Sequence, residues 1–124
     1  MTDVSDALAR APFAYTLEDD NRTPRPLALP VAAEDWPELG RWLIRWGEGA
    51  GKLARDTVGL VTVSTVFMCC NLSSNPNGPP LLWETALVDA NGDLLAVVDR
   101  YATWEEARAG HDEAVQRVTN GDRP

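Results

Sequence analysis

Hydrophobic positions along this chain change their period several times, and each change marks an element. From Val58 to Cys69 apolar residues run almost unbroken, which reads as one long strand. A polar loop, Asn71–Pro80, leads to a second strand, Leu81–Val88, in which Leu81, Trp83 and Leu87 alternate with Leu82, Glu84 and Ala86. A tight turn at Asn91-Gly92 precedes a third strand, Leu94–Tyr101, and then the period lengthens. Trp104, Ala107, His111, Ala114 (or Val115) and Val118 recur at spacings of three and four, the stripe of an amphipathic helix. Thr103 with Glu106 three residues on forms a capping box, and Glu105 suits the positive end of the helix dipole. Gly110, inside that helix, costs up to about 1 kcal/mol relative to alanine, which points to close packing.

Upstream, Trp36, Leu39, Leu43 and Trp46 make another stripe, widened by Trp42, and predict a helix from Asp35 to Trp46 with Pro37 harmless in its first turn. It stops at Gly47; Glu48–Gly51 is a connector, and Lys52–Asp56 is expected to add one further helical turn. Phe13–Leu17 alternates like a short strand, followed by the polar turn Glu18–Arg22. Pro24, Pro26 and Pro30 confine Arg25–Val31 to an extended edge path, because proline cannot donate to a ladder. Residues 1–12 show no sustained period and are expected to fray.

The expected fold is α+β, a single domain in which a meander of three or more antiparallel strands is packed by two helices, with an N-terminal extended flap. In the long strand Val61, Val63, Phe67 and Cys69 share one face, while Leu60, Val66 and Met68 share the other with Thr62 and Ser64. A sheet apolar on both sides wants cover on both. The two helices can shield one face; the flap, or a second copy in a homodimer, is expected to shield the other. At the last turn a two-residue loop would set Glu84 opposite Asp99, which repels. Ala90-Asn91-Gly92 read as a three-residue loop instead pairs Glu84 with Val98 and leaves Arg100 diagonal to it.

With 124 residues, 44% of them apolar and 24% charged, the chain has the make-up of one soluble domain. No run approaches the roughly 20 apolar residues of a membrane helix, and no basic region precedes an apolar stretch at the N-terminus, so the expectation is a cytoplasmic protein. The net charge of −8 is shared by both halves, leaving no basic face for phosphates and disfavouring direct nucleic-acid binding. Cys69 and Cys70 are adjacent, with no third cysteine to pair or to ligate zinc, which suits a reducing compartment with one of the two in the core.

Candidate chemistry is sparse. Gly47-Glu48-Gly49-Ala50-Gly51-Lys52 looks like a phosphate loop, but a Walker A motif needs Ser or Thr where Leu53 stands and glycine where Trp46 stands, so it reads as a linker. His111 is the single histidine; on an apolar stripe it is expected at the edge of the core, with pairing to Glu84 or Asp99 as its one route to acid–base work. Ser64 and Thr65 sit within a strand rather than at a nucleophile elbow. Glu18, Asp19 and Asp20 lack EF-hand spacing and read as a solvated turn. No metal site and no cofactor is expected. The loop Asn71–Pro80 is long for a strand connection, so Asn71, Ser73, Asn75 and Asn77, with Trp36 and Trp42, are the candidate contacts to a ligand or partner, joined by Glu84 and His111.

Three segments taken together, Val63-Ser64-Thr65-Val66-Phe67, Gly78-Pro79-Pro80-Leu81-Leu82-Trp83-Glu84-Thr85 and Arg100–Ala107 with Ala109-Gly110-His111, resemble a family of small uncharacterised proteins of tailed phages and prophages, many from actinobacterial hosts. The likeness covers about half the chain. Where that family follows its first segment with a Leu-Gly-Leu-Asp-His type of sequence, this chain has Met68-Cys69-Cys70-Asn71-Leu72, so any role of that aspartate and histidine does not carry over. The resemblance implies an accessory protein acting in the host cytoplasm. The leading expectation is a non-enzymatic module that binds a host protein, in host takeover or against a defence; the alternative is a small-molecule binder or sponge, and an enzyme ranks below both.

Overall fold

The computed structural model describes residues 14–28, 30–75 and 77–121; the expectation of fraying at residues 1–12 and the placement of Phe13 lie outside them. Two sheets and two helices make an α+β architecture. Strands β1 (Ala14–Leu17) and β2 (Pro24–Leu27) pair antiparallel as a hairpin, Ala14 opposite Leu27 and Leu17 opposite Pro24. The prolines are tolerated because, among the described residues, β2 has no partner on its outer side. The hairpin's connection is held by Asp20, whose Oδ1 accepts from the backbone N–H of Arg22 and of Thr23, both at 2.8 Å.

A 3-10 turn (Ala33–Asp35) leads into helix α1 (Trp36–Arg45), with Pro37 in its first turn. Past Arg45 the helix widens into one loose turn, Trp46–Ala50, broken where Gly49 takes φ 109°, a left-handed value that costs glycine nothing. The expected helix therefore stands, but it does not stop at Gly47 as expected: the loose turn carries it to Ala50. The expected helical turn after it does not form: Lys52–Val58 is a strand, β3. Gly59-Leu60 is a two-residue hairpin connection with glycine at φ 62°, setting Val58 opposite Val61. What reads as one long strand is thus the end of β3, a turn, and β4 (Val61–Phe67).

With β5 (Trp83–Val88) and β6 (Leu94–Tyr101), these form a four-stranded antiparallel meander in the order β3-β4-β5-β6. The three-residue loop at its last turn is present: Asp89 N–H donates to Asp93 O at 2.9 Å, and Gly92 sits at φ 86°. The pairing expected from it is not. Two irregularities each place an extra residue on β6, so Glu84 advances past Val98 to lie opposite Arg100, where the guanidinium reaches its carboxylate at 3.0 Å.

Helix α2 (Trp104–Thr119) crosses all four strands of the meander on one side. Its cap forms as expected: Thr103 Oγ1 accepts from Glu106 N–H at 3.1 Å and donates to Glu106 Oε1 at 3.0 Å. Ala107, His111 and Ala114 are its buried residues. Gly110 lies against the Tyr101 ring so closely that an added Cβ would collide with it, which accounts for a glycine in mid-helix.

Phe67 stands at the centre of the larger core cluster, edge-on to Trp42 at 5.9 Å and to Trp83 at 5.1 Å between ring centroids. Tyr15 and Leu17 of the hairpin join this cluster, so the flap thickens the helix-side core. It does not act as the lid expected for the opposite face. On that face the register aligns Arg55, Ser64, Ala86 and Val97, and among the described elements no helix or second sheet packs over them.

Candidate functional site

His111 is the residue around which most polar order gathers, and it has no exposure at all. The α2 stripe brings it over the middle of the sheet, where β4 and β5 present Thr65 and Thr85, also fully buried. Thr65 Oγ1 lies 2.6 Å from Thr85 Oγ1 and 2.7 Å from His111 Nδ1; His111 Nε2 lies 2.6 Å from Asp56 Oδ2 on β3. A carboxylate accepts, so the Nε2–H donates to Asp56; in the neutral ring Nδ1 then accepts from the Thr65 hydroxyl, which leaves Thr65 to accept from Thr85.

In connectivity this is hydroxyl, imidazole and carboxylate in the order of a nucleophilic triad. The hydroxyl is sealed beneath α2, however, and neither cleft described below is lined by Thr65 or His111. The expected partners of His111 are replaced. Glu84 alternates to the far face and pairs with Arg100, and Asp99 stands opposite Thr85 on exposed backbone. Asp56, hidden from sequence reasoning by the missed β3, takes the place assigned to them. What the chain of hydroxyls and imidazole does is tie α2 to three strands at once, leaving no buried side-chain N or O unsatisfied among the described residues.

The candidate loop turns back on itself. Asn71 Oδ1 accepts from Ser73 N–H at 2.9 Å and Leu81 N–H at 3.0 Å, closing the loop's base. Ser73 Oγ accepts from Asn75 N–H at 3.1 Å, and Asn75 Oδ1 from Asn77 N–H at 3.0 Å. These amide and hydroxyl groups are spent on shaping the loop. The two tryptophans part company. Trp42 is 3% exposed and belongs to the core, against expectation, whereas Trp36 is 58% exposed. Leu43 and Ile44, 54% and 64% exposed, share the outward side of α1 with Trp36. Between them Gly40 faces open space.

Clefts flank the β1–β2 hairpin, and two of them are lined by both charged and aromatic side chains. The larger, about 620 Å³, lies between the hairpin and α1, where Arg25, Arg41 and Arg45 meet Glu18, Asp19 and Glu38. Most of these charges already bridge its walls: Arg25 pairs with Glu38, and Arg45 Nη2 donates to Asn21 Oδ1 at 2.6 Å and Glu18 O at 3.3 Å while lying 5.4 Å over Trp42. The smaller, about 240 Å³, opens between the hairpin's connection and Gly49–Leu53, with Trp83 and Trp104 beside it. There Arg22 lies 3.9 Å over the Trp104 ring.

Cys69 and Cys70 are free and half-buried. Burial pushes the Cys69 thiol up to about 11, only partly offset by its hydrogen bond with Trp42, so it stays protonated and a poor nucleophile at neutral pH. Among the described residues no group of three or more His, Cys, Asp or Glu is gathered to hold a metal, and no helix is long and apolar enough to cross a membrane. Compared with known protein families, with curated proteins and with solved structures, the chain matches none.

Proposed function

We propose that this protein is a non-enzymatic binding module that lays α1 into an apolar groove on a partner protein. The observation that carries the reading is the outward row of Trp36, Leu43 and Ile44, three large side chains more than half exposed on one helix. Their i, i+7, i+8 spacing is that of a helix anchoring in a groove, and Gly40 between them lets a partner's side chain approach the helix backbone. Burying such anchors supplies most of the affinity in interfaces of this kind. Glu34 and Asp35 stand before the row and Glu48 follows it, so the groove that fits it carries basic groups at its ends. The sequence resemblance favours a host protein as the partner and a phage accessory role in the host cytoplasm.

The test replaces Leu43 and Ile44 with glutamate and compares capture of proteins from host lysate by the two forms, with thermal unfolding as the control for folding. A partner retained by the unmodified chain and lost by the double variant supports the reading. Identical capture by both, or no partner above background with the unmodified chain, overturns it.

A further inference from the structure

The smaller cleft inverts the sign of the molecule. The chain carries a net charge of −8, yet this cleft sets two cations, Arg22 and Lys52, against one carboxylate, Asp20. That carboxylate is already committed: besides two backbone N–H groups it accepts from Thr23 Oγ1 at 2.5 Å, and these bonds, led by the threonine hydroxyl, with a smaller contribution from the nearby Arg22 charge, hold its acid down to about 2. The cations are not committed in the same way. Among the described residues neither Arg22 nor Lys52, the one lysine of the sequence, makes an ion pair, and the Arg22 guanidinium has no hydrogen-bond acceptor.

The cleft is also built to hold these groups in place. Arg22 rests on the indole of Trp104, which restrains a side chain that would otherwise sweep a wide volume and leaves its N–H fork for an oxyanion. The Lys52 backbone is paired opposite Val66 where it enters β3, which sets the root of its side chain at the cleft. Between them the wall is backbone with almost no side chain, Gly49-Ala50-Gly51. Its course is set by Gly49 at φ 109° and by the Trp46 indole, which fills the space a Cβ on Gly51 would need and donates to Phe67 O at 3.1 Å. A ligand can therefore come close to main chain on one side while two positive charges meet it on the other. At about 240 Å³ the space suits a metabolite with a charged head group rather than a drug-sized molecule.

We propose that this cleft binds a small oxyanion-bearing molecule, a phosphate or a carboxylate, with its charged group held between Arg22 and Lys52. This site is separate from the outward row of α1, and the two can succeed or fail independently.

Isothermal titration at fixed ionic strength with inorganic phosphate, adenosine monophosphate and succinate tests it and separates the two oxyanion classes. The expected result is saturable binding of at least one probe. Arg22→Gln and Lys52→Gln should each weaken it about tenfold, the scale of one charge-assisted hydrogen bond, with Arg22→Lys recovering part of the loss. Arg41→Gln removes the same charge from the larger cleft and should leave binding unchanged, as should the Leu43→Glu, Ile44→Glu double variant. Thermal unfolding without probe should be the same for all forms. No saturable heat from any probe up to about 10 mM, a limit that corresponds to a very weak complex, overturns the proposal. So does binding that survives both Arg22→Gln and Lys52→Gln, or that falls equally in Arg41→Gln.

Discussion

The two helices carry similar stripes and use them oppositely. α2 is capped at its first turn and buries Ala107, His111 and Ala114 against the sheet. α1 has no side-chain cap, and of its large apolar residues Trp42 alone is fully buried, while Trp36, Leu43 and Ile44 face outward. Three-four periodicity thus identifies a helix without saying which side the fold uses. On α2 the stripe and the buried face coincide; on α1 the buried side is centred on Trp42 and Leu39, rotated away from Trp36 and Leu43, which leaves part of the stripe uncovered.

The largest effect that would break this contrast lies within α1. Trp42→Ala should cost about 3–5 kcal/mol in chemical denaturation, because it opens a cavity beside Phe67, whereas Trp36→Ala should cost less than about 1 kcal/mol. Equal losses would mean that the outer side of α1 is also part of the core. Glycine to alanine sharpens the comparison between helices, because the same change should act with opposite sign. At Gly110 the new methyl meets the Tyr101 ring, and overpacking should cost roughly 1–3 kcal/mol. At Gly40 nothing lies nearby, so the higher helix propensity of alanine should stabilise by up to about 1 kcal/mol. Thr103→Ala removes the cap that α1 never had, at a cost of about 1 kcal/mol in the thermal midpoint converted to free energy.

The smallest effect is electrostatic and lies at the hairpin beside α1. Folding favours the ionised form of Asp20, whose acid is lowered from 3.8 to about 2, mainly by the Thr23 hydroxyl. Its contribution is complete above the ordinary value and is lost as pH falls through about 2. The difference in thermal midpoint between the unmodified chain and Asp20→Asn should therefore narrow between those two pH values and be flat above them. A difference that instead widens on acidification would place the carboxylate outside these hydrogen bonds.

Local signals made α2, its cap, β5 and the three-residue loop legible, since each is written within a few consecutive residues. β3 was not legible. Gly59 sits amid Val58, Leu60 and Val61 without the Asn, Asp or Pro that usually announces a turn, and the preceding residues carry charge on both faces of an edge strand. Losing β3 meant losing Asp56, and with it the true neighbour of His111, which lies 55 residues away in sequence. Glu84 was misplaced for a related reason: the two extra residues on β6, Leu95 and Val98, leave no mark in hydrophobic alternation because Leu94–Val98 is apolar throughout. The cation pair at the smaller cleft was hidden because Arg22 lies in the hairpin's connection and Lys52 at the start of β3, places that only the tertiary fold brings together.

The irregular spacing of β6 has a consequence for how the molecule behaves in a crowd. β6 is an outer strand and exposes Leu94, Leu95 and Val97, the kind of margin along which identical chains polymerise into fibres. Each bulge interrupts the even repeat of free amide and carbonyl groups that a visiting strand would need to match. A greasy margin with a broken template is thus a poorer seed for strand-by-strand stacking than an even edge of the same composition would be.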